Sequence, residues 1–366
     1  MSEKLLPQDI YAYLTSKVLG QEDVLKKVAV AIYKHINNIR AGNILLIGNS
    51  GTGKTTIMTT IRQFYQEHQD LARYRTLIVM NANLLGGEYE GDVNTFRLFK
   101  SLETEARNLL GPNAGAKELK QYMENATVCI DEVDKISSRI SDKVSASGIA
   151  IQQSLLTLLE GERVLYETTV LENGRQEAAK IPLDTSKLMF LCGGAFEGLY
   201  DQVYQVILNH EDERRFKEMA QSDWKGGITY RLDFTLKEYM KLNDLFRYGM
   251  VPQFISRFSA ISVLEDLGKE ELKQIMLGAD DSPFTHSREY FRAMGIELRM
   301  TDPALEIITD HALRNTRIGA RALREIFSRI MAPLGFDPFG SDELSEQDGG
   351  KVLTIDQDTV HRALPH

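Results

Sequence analysis

Short apolar runs alternate with amphipathic stretches through most of the chain. Five of these runs have the length of a β-strand and lie at residues 44–47, 76–80, 127–130, 187–191 and 261–264. Between them, apolar residues recur at the three- and four-residue spacing of a helix, notably over residues 22–40 and 147–160. Strands that are apolar throughout and alternate with helices are typical of a parallel sheet covered on both faces. The pattern therefore predicts an α/β fold with a five-stranded parallel sheet.

After the fifth run the spacing becomes mainly helical. Helices are predicted over residues 269–277, 287–294, 303–313 and 320–331. Asp302 is the expected N-cap of the third helix, because a proline follows it at the first helical position. A loop is expected over residues 333–350 and a final strand over residues 352–355. This part of the chain is therefore expected to be mainly α-helical.

We accordingly divide the chain into two domains, a large α/β domain at residues 1–258 and a small, mainly helical domain at residues 259–366. Residues 200–246 are dense in charge, and the charged run at 211–217 is interpreted as the solvated surface of a helical insertion. The pair Asn173-Gly174 is typical of the turn of a β-hairpin. The large domain is thus expected to carry a hairpin and an insertion in addition to its sheet.

Composition narrows the class of function. Of the 366 residues, 43% are hydrophobic and 26% are charged, as in ordinary soluble proteins. The formal net charge of −9 argues against nucleic acid as the main ligand, because phosphate contacts need basic surface. No apolar run reaches the ~18 residues of a membrane span, so no membrane association is expected and a cytoplasmic location is favoured. Cys129 and Cys192 lack metal-ligand spacing and are expected in the core, and no zinc is expected.

A glycine-rich segment follows the first predicted strand. It matches the pattern G-x-x-x-x-G-K-[ST], and its residues are Gly48, Asn49, Ser50, Gly51, Thr52, Gly53, Lys54, Thr55 and Thr56. Glycines let successive backbone N–H groups point at a phosphate, and the following helix adds the partial positive charge of its N-terminus. Lys54 would contact the β- and γ-phosphates of ATP, and the Thr55 hydroxyl would bind Mg²⁺. The segment therefore predicts a nucleotide-binding P-loop.

Two acidic residues, Asp131 and Glu132, end the third predicted strand. Next to the strand of the P-loop, this strand would place Asp131 near Mg²⁺, and Glu132 could polarise a water for attack on the γ-phosphate. Two adjacent acids are a weak signal alone, but after a complete P-loop in an α/β pattern they indicate a nucleotide site. ATP binding alone would not require Glu132, so its presence favours hydrolysis.

With these motifs, the chain resembles the AAA+ ATPases and, among them, the ClpX family of protein unfoldases. Six segments carry the resemblance in the order found in that family, at residues 18–21, 44–55, 130–136, 184–196, 249–257 and 319–321. They span nearly the whole chain, and the run from Cys192 to Phe196 is especially specific. The resemblance implies a P-loop NTPase large domain followed by a smaller, mainly helical lid domain.

The resemblance also implies roles for single residues. Val18 and Leu19 would pack on the adenine base of ATP. Arg257 would be an arginine finger that acts on the γ-phosphate of a neighbouring subunit, and Arg321 would sense the nucleotide of its own subunit. A finger supplied by a neighbour requires assembly, and the family forms hexameric rings, so a homo-oligomer is expected. Tyr89, flanked here by two glutamates, would be the pore-loop residue that grips a polypeptide.

Other segments differ from the family pattern. Residues 139–147 fall where a second pore loop would lie. No zinc-binding cysteine module precedes the P-loop in this sequence, and no Ile-Gly-Phe-like tripeptide occurs between residues 196 and 249, where the family's protease-docking loop belongs. The family's Arg-Lys-His loop is replaced by Arg175-Gln176-Glu177. We therefore expect an ATP-driven remodelling motor for protein substrates, with or without an adaptor, that works without the ClpP protease.

Three alternative functions stay open at this point. The first is the ATPase subunit of a Clp-type protease that docks through a non-standard loop, for which ClpP would stimulate degradation of a tagged substrate. The second is a nucleic-acid motor of the same superfamily, in which DNA would stimulate ATP turnover with a steep salt dependence. The third is a nucleotide-switched scaffold, in which Glu132→Gln would leave function unharmed.

Overall fold

Strands and helices alternate in the computed structural model, which describes residues 5–86, 94–140, 143–172, 175–222, 228–278, 282–314, 320–347 and 349–364. In chain order, the strands are β1 Asn43–Ile47, β2 Leu77–Asn81, β3 Thr127–Asp131, β4 Arg139–Ile140, β5 Lys143–Val144, β6 Arg163–Glu172, β7 Arg175–Asp184, β8 Met189–Gly194, β9 Lys217–Ser222, β10 Ile228–Asp233, β11 Phe258–Val263, β12 Ile296–Met300, β13 Leu344–Gln347 and β14 Gly350–Ile355. The α-helices are α1 Pro7–Thr15, α2 Glu22–Ile36, α3 Lys54–Glu67, α4 Phe96–Leu110, α5 Ala116–Glu124, α6 Ala146–Glu160, α7 Leu199–Leu208, α8 Leu236–Tyr239, α9 Leu242–Tyr248, α10 Pro252–Ile255, α11 Lys269–Gly278, α12 Pro283–Arg292, α13 Asp302–Leu313, α14 Ala320–Phe336 and α15 Gln357–Ala363.

Five parallel strands form one sheet in the order β11-β1-β8-β3-β2. Strands β1 and β8 are buried along their whole length, as their continuous apolar sequences require. Because side chains alternate between the two faces of a strand, Leu45 and Ile47 share one face and join a core with Phe99 of α4 and Leu155 of α6. Cys129 and Cys192 are both buried in the sheet, as expected. The prediction of an α/β fold on a five-stranded parallel sheet is confirmed.

The sheet brings the carboxyl ends of its strands to one edge. Asn81 at the end of β2 lies opposite Asp131 at the end of β3. Gly48, which follows β1, donates its N–H to the carbonyl of Gly194 at the end of β8, at 3.2 Å. Ligands of open α/β sheets bind outside the carboxyl ends of the strands. This edge is therefore the place where the predicted site residues can meet.

A long hairpin, β6 and β7, is attached to α4 by a buried carboxylate. Its predicted turn, Asn173-Gly174, lies outside the described residues. Glu103 on α4 accepts hydrogen bonds from Tyr166 at 2.7 Å and Thr168 at 2.5 Å, and it pairs with Lys100 and Arg107, each at 2.8 Å. Burial would raise the pKa of Glu103, but the hydrogen bonds from these four partners outweigh it and lower that pKa to about 2. The ionised carboxylate therefore fastens the hairpin to the helix.

Replacing Glu103 with leucine is expected to destabilise the protein by about 2–4 kcal/mol, because a buried tyrosine hydroxyl and two cations lose their acceptor. The wild-type contribution is present above the unfolded pKa of about 4.3 and is lost as pH falls through the folded value. Urea denaturation at pH 7 measures the effect. Glu325, an exposed partner of Arg329 at 2.6 Å, is the control, and Glu325→Leu should change stability by less than about 0.5 kcal/mol. Equal losses in the two variants would contradict the role of Glu103.

The charge-dense segment is partly strand, so the expectation of a helical insertion is wrong in its middle. Strands β9 and β10 pair antiparallel between α7 and α8. Arg214, in the run interpreted as solvated, is nearly buried: its Nη1 and Nη2 lie 2.6 and 3.0 Å from the carboxylate of Asp244, and its Nε lies 2.8 Å from Asp212. Paired carboxylates make burial of a guanidinium tolerable. This part of the insertion is therefore fixed to α9.

The last hundred residues are mainly helical, with a small sheet in the order β12-β14-β13. Three local expectations are wrong here. The N-cap of α13 is Thr301, whose hydroxyl accepts the N–H of Ala304 at 3.4 Å, and Asp302 is the first helical residue. Helix α14 continues through Pro333 to Phe336 rather than ending at 331. Strand β13 lies within the segment expected to be a loop.

The chain divides into two compact units. The first comprises Met1–Ser16, Glu22–Gly48 and Lys54–Leu264, and the second Lys17–Gln21, Asn49–Gly53 and Glu265–His366. The domain boundary between residues 258 and 259 stays a prediction. Among the described helices, none has both the length and the apolar composition to cross a membrane.

Candidate active site

Lys54 and Asp131 approach each other around a glycine of the central strand β8. A methyl group added to Gly193 would lie 3.5 Å from Oδ1 of Asp131 and 3.6 Å from Cδ of Lys54. Lys54 is the first residue of α3 and is buried, and its Nζ donates to the carbonyl of Gly48 at 2.5 Å. Asp131 and the aliphatic part of Lys54 therefore both border Gly193, together with Cε of Met58, which a methyl group there would approach to 3.2 Å. This arrangement suits a phosphate group and its counter-ion.

Glu132 is held by its backbone and by its side chain. Its φ of 56° lies in the left-handed region, and its N–H donates to Oδ1 of Asp131 at 2.9 Å. Its carboxylate accepts a short hydrogen bond from the Nδ2 of Asn81. Nothing in the sequence around Asn81 marks it as a partner of Glu132, which lies 51 residues further along the chain. The pairing of β2 with β3 is what brings the two residues together.

Loss of the Asn81 amide is expected to lower the kcat of ATP turnover about tenfold, because the carboxylate of Glu132 would no longer be oriented. The KM for ATP should change little, because Asn81 holds the glutamate and not the P-loop. Steady-state phosphate release by the Asn81→Ala variant measures both constants. Asn83, exposed two residues further on, gives the control Asn83→Ala. A raised KM with an unchanged kcat would contradict this role.

The turn after Glu132 is fastened to the end of β8. Residues Val133–Ile136 form one 3₁₀ turn, in which Asp134 is buried. Oδ1 of Asp134 accepts the N–H of Ala195 at 3.2 Å, and burial raises the pKa of this carboxyl. A methyl group at Gly194 would lie 2.7 Å from the same oxygen, so only glycine fits there. The sequence Cys192 to Phe196 is thus explained by close packing against the turn that carries Glu132.

The turn of the P-loop, Asn49–Gly53, belongs to the second unit. Gly51 and Gly53 have φ of 82° and 101°, which favours glycine at both positions. The buried hydroxyl of Thr52 donates to the carbonyl of Asn49 at 2.9 Å, and Nδ2 of Asn49 donates to Asp266 at 2.9 Å. Ser50 is half-buried in the same turn. The loop is therefore shaped by its glycines and fixed by two polar side chains.

Three further residues with predicted roles surround this turn in the second unit. Val18 is buried, and its Cγ1 would lie 3.8 Å from a methyl group at Gly53, while the adjacent Leu19 is half-buried. At the start of α14, Ala320 donates its N–H to the carbonyl of Gly51 at 3.4 Å. Arg321, the predicted sensor, is exposed and directly follows Ala320, the residue that contacts the P-loop. Gly319, which shares its motif, lies outside the described residues.

The predicted finger, Arg257, follows α10. Its backbone is fixed, because its carbonyl accepts the Nδ2 of buried Asn43 at 2.9 Å. Its side chain is 42% exposed and pairs with Glu160, the last residue of α6. A half-exposed arginine on a fixed backbone can reach another molecule, because its surface ion pair is weak.

The predicted pore residues are only partly described. Tyr89 lies in the segment 87–93, outside the described residues. Of the second candidate pore loop, β4 and β5 form a short antiparallel pair, and Val144 at its edge is 76% exposed. The contacts of a grip on polypeptide therefore stay predictions.

Oxygen donors suited to magnesium occur at this site. Thr55 and Thr56 are exposed in the first turn of α3, and Asp131 ends β3. Mg²⁺ prefers oxygen ligands and usually takes only one or two from the protein in addition to substrate phosphates. Within the described part of the chain, no group of three or more histidine, cysteine or acidic side chains could hold a metal ion. Thr55 and Asp131 are oxygen donors of the kind that suit a magnesium ion shared with a nucleotide.

Comparison with known families decides the class of the protein. Residues 39–261, more than half of the chain, match the family described as AAA domain (Cdc48 subfamily). The chain belongs to this family of AAA ATPases. The matched region contains β1, the P-loop, Asp131, Glu132 and Arg257.

Individual relatives agree with the resemblance found in the motifs. The chain is 29% identical over 344 residues to the ATP-dependent Clp protease ATP-binding subunit ClpX of Porphyromonas gingivalis, covering 89% of this chain and 76% of that protein. It is 28% identical to ClpX of Borrelia duttonii over 97% of this chain and 78% of the relative. It is 29% identical to ClpX 3 of Methylococcus capsulatus over 98% and 81%. The prediction of a ClpX-like AAA+ ATPase is confirmed.

Proposed function

We propose that this AAA ATPase hydrolyses ATP to unfold or remodel protein substrates, as a homo-oligomeric, hexameric ring that does not require ClpP. The observation that carries the proposal is that Lys54 and Asp131 both border Gly193 at one edge of the sheet, where the N–H of Glu132 donates to Asp131. The relatives support the choice of substrate class, because they are named as ATP-binding subunits of a protease. Two buried, unpaired cysteines fit a reducing compartment such as the cytoplasm.

The chain's own residues supply most of the chemistry. Lys54 and the N–H groups of the P-loop bind the phosphates, and Val18 and Leu19 contact the base. Thr55 and Asp131 would hold Mg²⁺, which would neutralise phosphate charge. Glu132, directed by Asn81, accepts the proton of the attacking water. Arg257 of a neighbouring protomer stabilises charge on the γ-phosphate, and Arg321 contacts the nucleotide of its own subunit.

Work on a substrate would follow from domain motion. Hydrolysis would change the contacts of Arg321 and of the P-loop, and so rotate the small domain against the large one. Tyr89 would then move a bound polypeptide through the ring. We take residues 1–258 and 259–366 as the moving domains of this proposal.

The second candidate is the ATPase subunit of a Clp-type protease. The names of the relatives favour it. Against it stands the insertion, where the family's docking tripeptide does not occur and where Arg214 fixes residues 212–214 to Asp244. A flexible docking loop would be expected to have fewer buried ion pairs.

Degradation assays separate these two functions. The purified protein is incubated with ATP and an unstable tagged substrate, with and without ClpP, and substrate unfolding is followed by loss of its fluorescence. The proposal expects ATP-dependent loss of fluorescence at the same rate in both reactions, with no peptides released. Peptide release that depends on ClpP would establish the protease subunit instead. No ATP-dependent unfolding in either reaction would contradict both.

A further inference from the structure

A buried glutamine connects the turn that carries Glu132 to the segment that leads to Arg257. Gln152 lies on α6 and is fully buried on the same face as Gly148, Ile151 and Leu155. A polar side chain on a buried helix face is costly unless its donors and acceptors are paired. Each of the partners of Gln152 is a backbone group of one of these two segments.

The amide of Gln152 makes three hydrogen bonds. Its Nε2 donates to the carbonyl of Ile136 at 2.7 Å and to the carbonyl of Gly249 at 3.3 Å, and its Oε1 accepts the N–H of Val251 at 2.7 Å. Ile136 ends the 3₁₀ turn that begins directly after Glu132. Val251 is the N-cap of α10, which leads to Arg257. One side chain thus touches both segments.

The two segments also contact each other directly. Ser138 donates its N–H to the carbonyl of Gly249 at 2.8 Å, and the hydroxyl of Ser137 donates to the carbonyl of Tyr248 at 2.9 Å. Gly249 has a φ of 110°, and a methyl group there would lie 2.2 Å from the hydroxyl oxygen of Ser137. The contact is therefore close enough that a shift of either segment must displace the other.

Each segment is packed and hydrogen-bonded between Gln152 and the residue that it leads to. On one side, Val133 and Ile136 are buried and Lys135 donates its N–H to the carbonyl of Glu132 at 3.0 Å. On the other side, Phe254 and Ile255 of α10 are buried, and Arg257 donates its N–H to the carbonyl of Phe254 at 3.1 Å. A displacement at Glu132 can therefore be transmitted to Arg257 through packed backbone.

We propose that Gln152 is a positioning residue that couples the hydrolytic glutamate of a protomer to the arginine that the same protomer presents to its neighbour. The inference rests on the proposed function, because it requires Arg257 to act in a neighbouring site. The nucleotide state of one ATP site, sensed at Glu132, then sets the position of Arg257 in the neighbouring ATP site. Neighbouring sites would therefore hydrolyse ATP in sequence rather than independently.

A complementation assay isolates the finger. Protomers with Arg257→Ala keep an intact Glu132 but supply no finger, whereas protomers with Glu132→Gln supply a finger but do not hydrolyse. ATP turnover in a mixture of the two therefore measures how well Arg257 of a Glu132→Gln protomer acts at the ATP site of a neighbouring Arg257→Ala protomer. Adding Gln152→Leu to the Glu132→Gln protomer is expected to lower that turnover at least about fivefold, the lower end of coupling between sites.

We call the Glu132→Gln protomer the finger donor, because it supplies Arg257 to its neighbour. Two further finger donors separate an effect on the finger from an effect on folding. Gln152→Glu keeps the side-chain shape and the acceptor for Val251 but cannot donate to Ile136 and Gly249, and it should reduce turnover in the same direction. Thr185→Val is the matched control, because Thr185 is also buried, accepts the N–H of Glu162 at 2.7 Å and donates to the carbonyl of Leu158 of α6 at 3.1 Å, away from both segments. Each donor is compared for melting temperature and for assembly by size-exclusion chromatography.

The outcomes are distinct. The inference is supported if both Gln152 variants of the finger donor lower ATP turnover while they assemble as well as the Thr185→Val variant does. Unchanged turnover with either Gln152 donor overturns it, and so does an equal loss with Thr185→Val. If the unmodified Glu132→Gln donor gives no turnover while wild-type protein hydrolyses ATP, Arg257 does not act between subunits, and the proposed function fails with the inference.

Discussion

Replacing Glu132 with glutamine is expected to lower ATP turnover by a factor of about 10²–10⁴ while ATP stays bound. The amide cannot accept a proton from water, but it has the shape of the carboxylate and leaves the P-loop intact. Lys54, buried beside Gly48, would still bind the phosphates. The variant should therefore be an ATP-loaded, stalled form of the protein. Phosphate release measures the rate, and binding of a fluorescent ATP analogue measures the affinity.

Glu197 provides the control for this substitution. It lies three residues beyond Gly194, is 77% exposed and approaches Lys135 only at 3.9 Å. Glu197→Gln should keep turnover within about twofold of wild type, because an exposed ion pair contributes little. If Glu132→Gln hydrolyses ATP as fast as this control, Glu132 is not the base. The nucleotide-switched scaffold would then be the better interpretation of the sequence.

The stalled form would also identify substrates. A remodelling motor that cannot hydrolyse ATP should keep its polypeptide substrate bound, and affinity purification of the Glu132→Gln protein from cells should recover it. This experiment addresses what neither fold nor motif determines, because function depends on the site and not on the fold.

The parts of the site that local sequence determines could be predicted. Glycine spacing and the apolar run before Gly48 suffice to place Lys54 at the start of a helix, and Asp131 and Glu132 follow their strand directly. Such features depend only on residues that are close in the sequence, so they can be predicted without knowledge of the fold. The central strands β1 and β8 were likewise visible because each is buried on both faces.

The parts that depend on distant pairing could not be predicted. The contact of Asn81 with Glu132 needs β2 beside β3 in one register, and the sequence does not contain that register. Arg214 was interpreted as solvated because its partner, Asp244, lies thirty residues away. Gln152 lies in a segment whose spacing predicts only a helix, and its three backbone partners show why it is buried. In each case the burial or orientation of a polar side chain depends on a partner that is distant in the sequence.

Small-domain errors have a different cause. Helix α14 continues past Pro333 because packing of buried residues such as Leu334 outweighs the loss of one backbone hydrogen bond in its last turn. Thr301 rather than Asp302 caps α13, since both residues suit the position and the geometry of the preceding strand decides between them. Local propensity is a weak guide where tertiary contacts compete with it.

Removal of the Arg257 side chain is expected to lower ATP turnover by a factor of about 10³–10⁵, with ATP binding largely retained. The guanidinium would stabilise charge that develops on the γ-phosphate only in the transition state, so its loss affects kcat more than KM. Arg257→Ala is compared with Arg247→Ala, because Arg247 is a similarly exposed arginine paired with Glu211 at 3.1 Å. Phosphate release and nucleotide affinity are measured for both.

Mixing decides whether Arg257 acts on its own site or on a neighbour's. Arg257→Ala and Glu132→Gln proteins should each be almost inactive alone. In a closed ring with one repeated head-to-tail interface, a random equal mixture pairs an intact glutamate with an intact neighbouring arginine at about one quarter of the sites. Turnover should therefore rise clearly above that of either protein alone, with about one quarter of the wild-type rate as its upper limit. A mixture that stays as inactive as its components would mean that Arg257 acts at the ATP site of its own subunit or takes no part in hydrolysis. Either result would remove the reason to expect a ring.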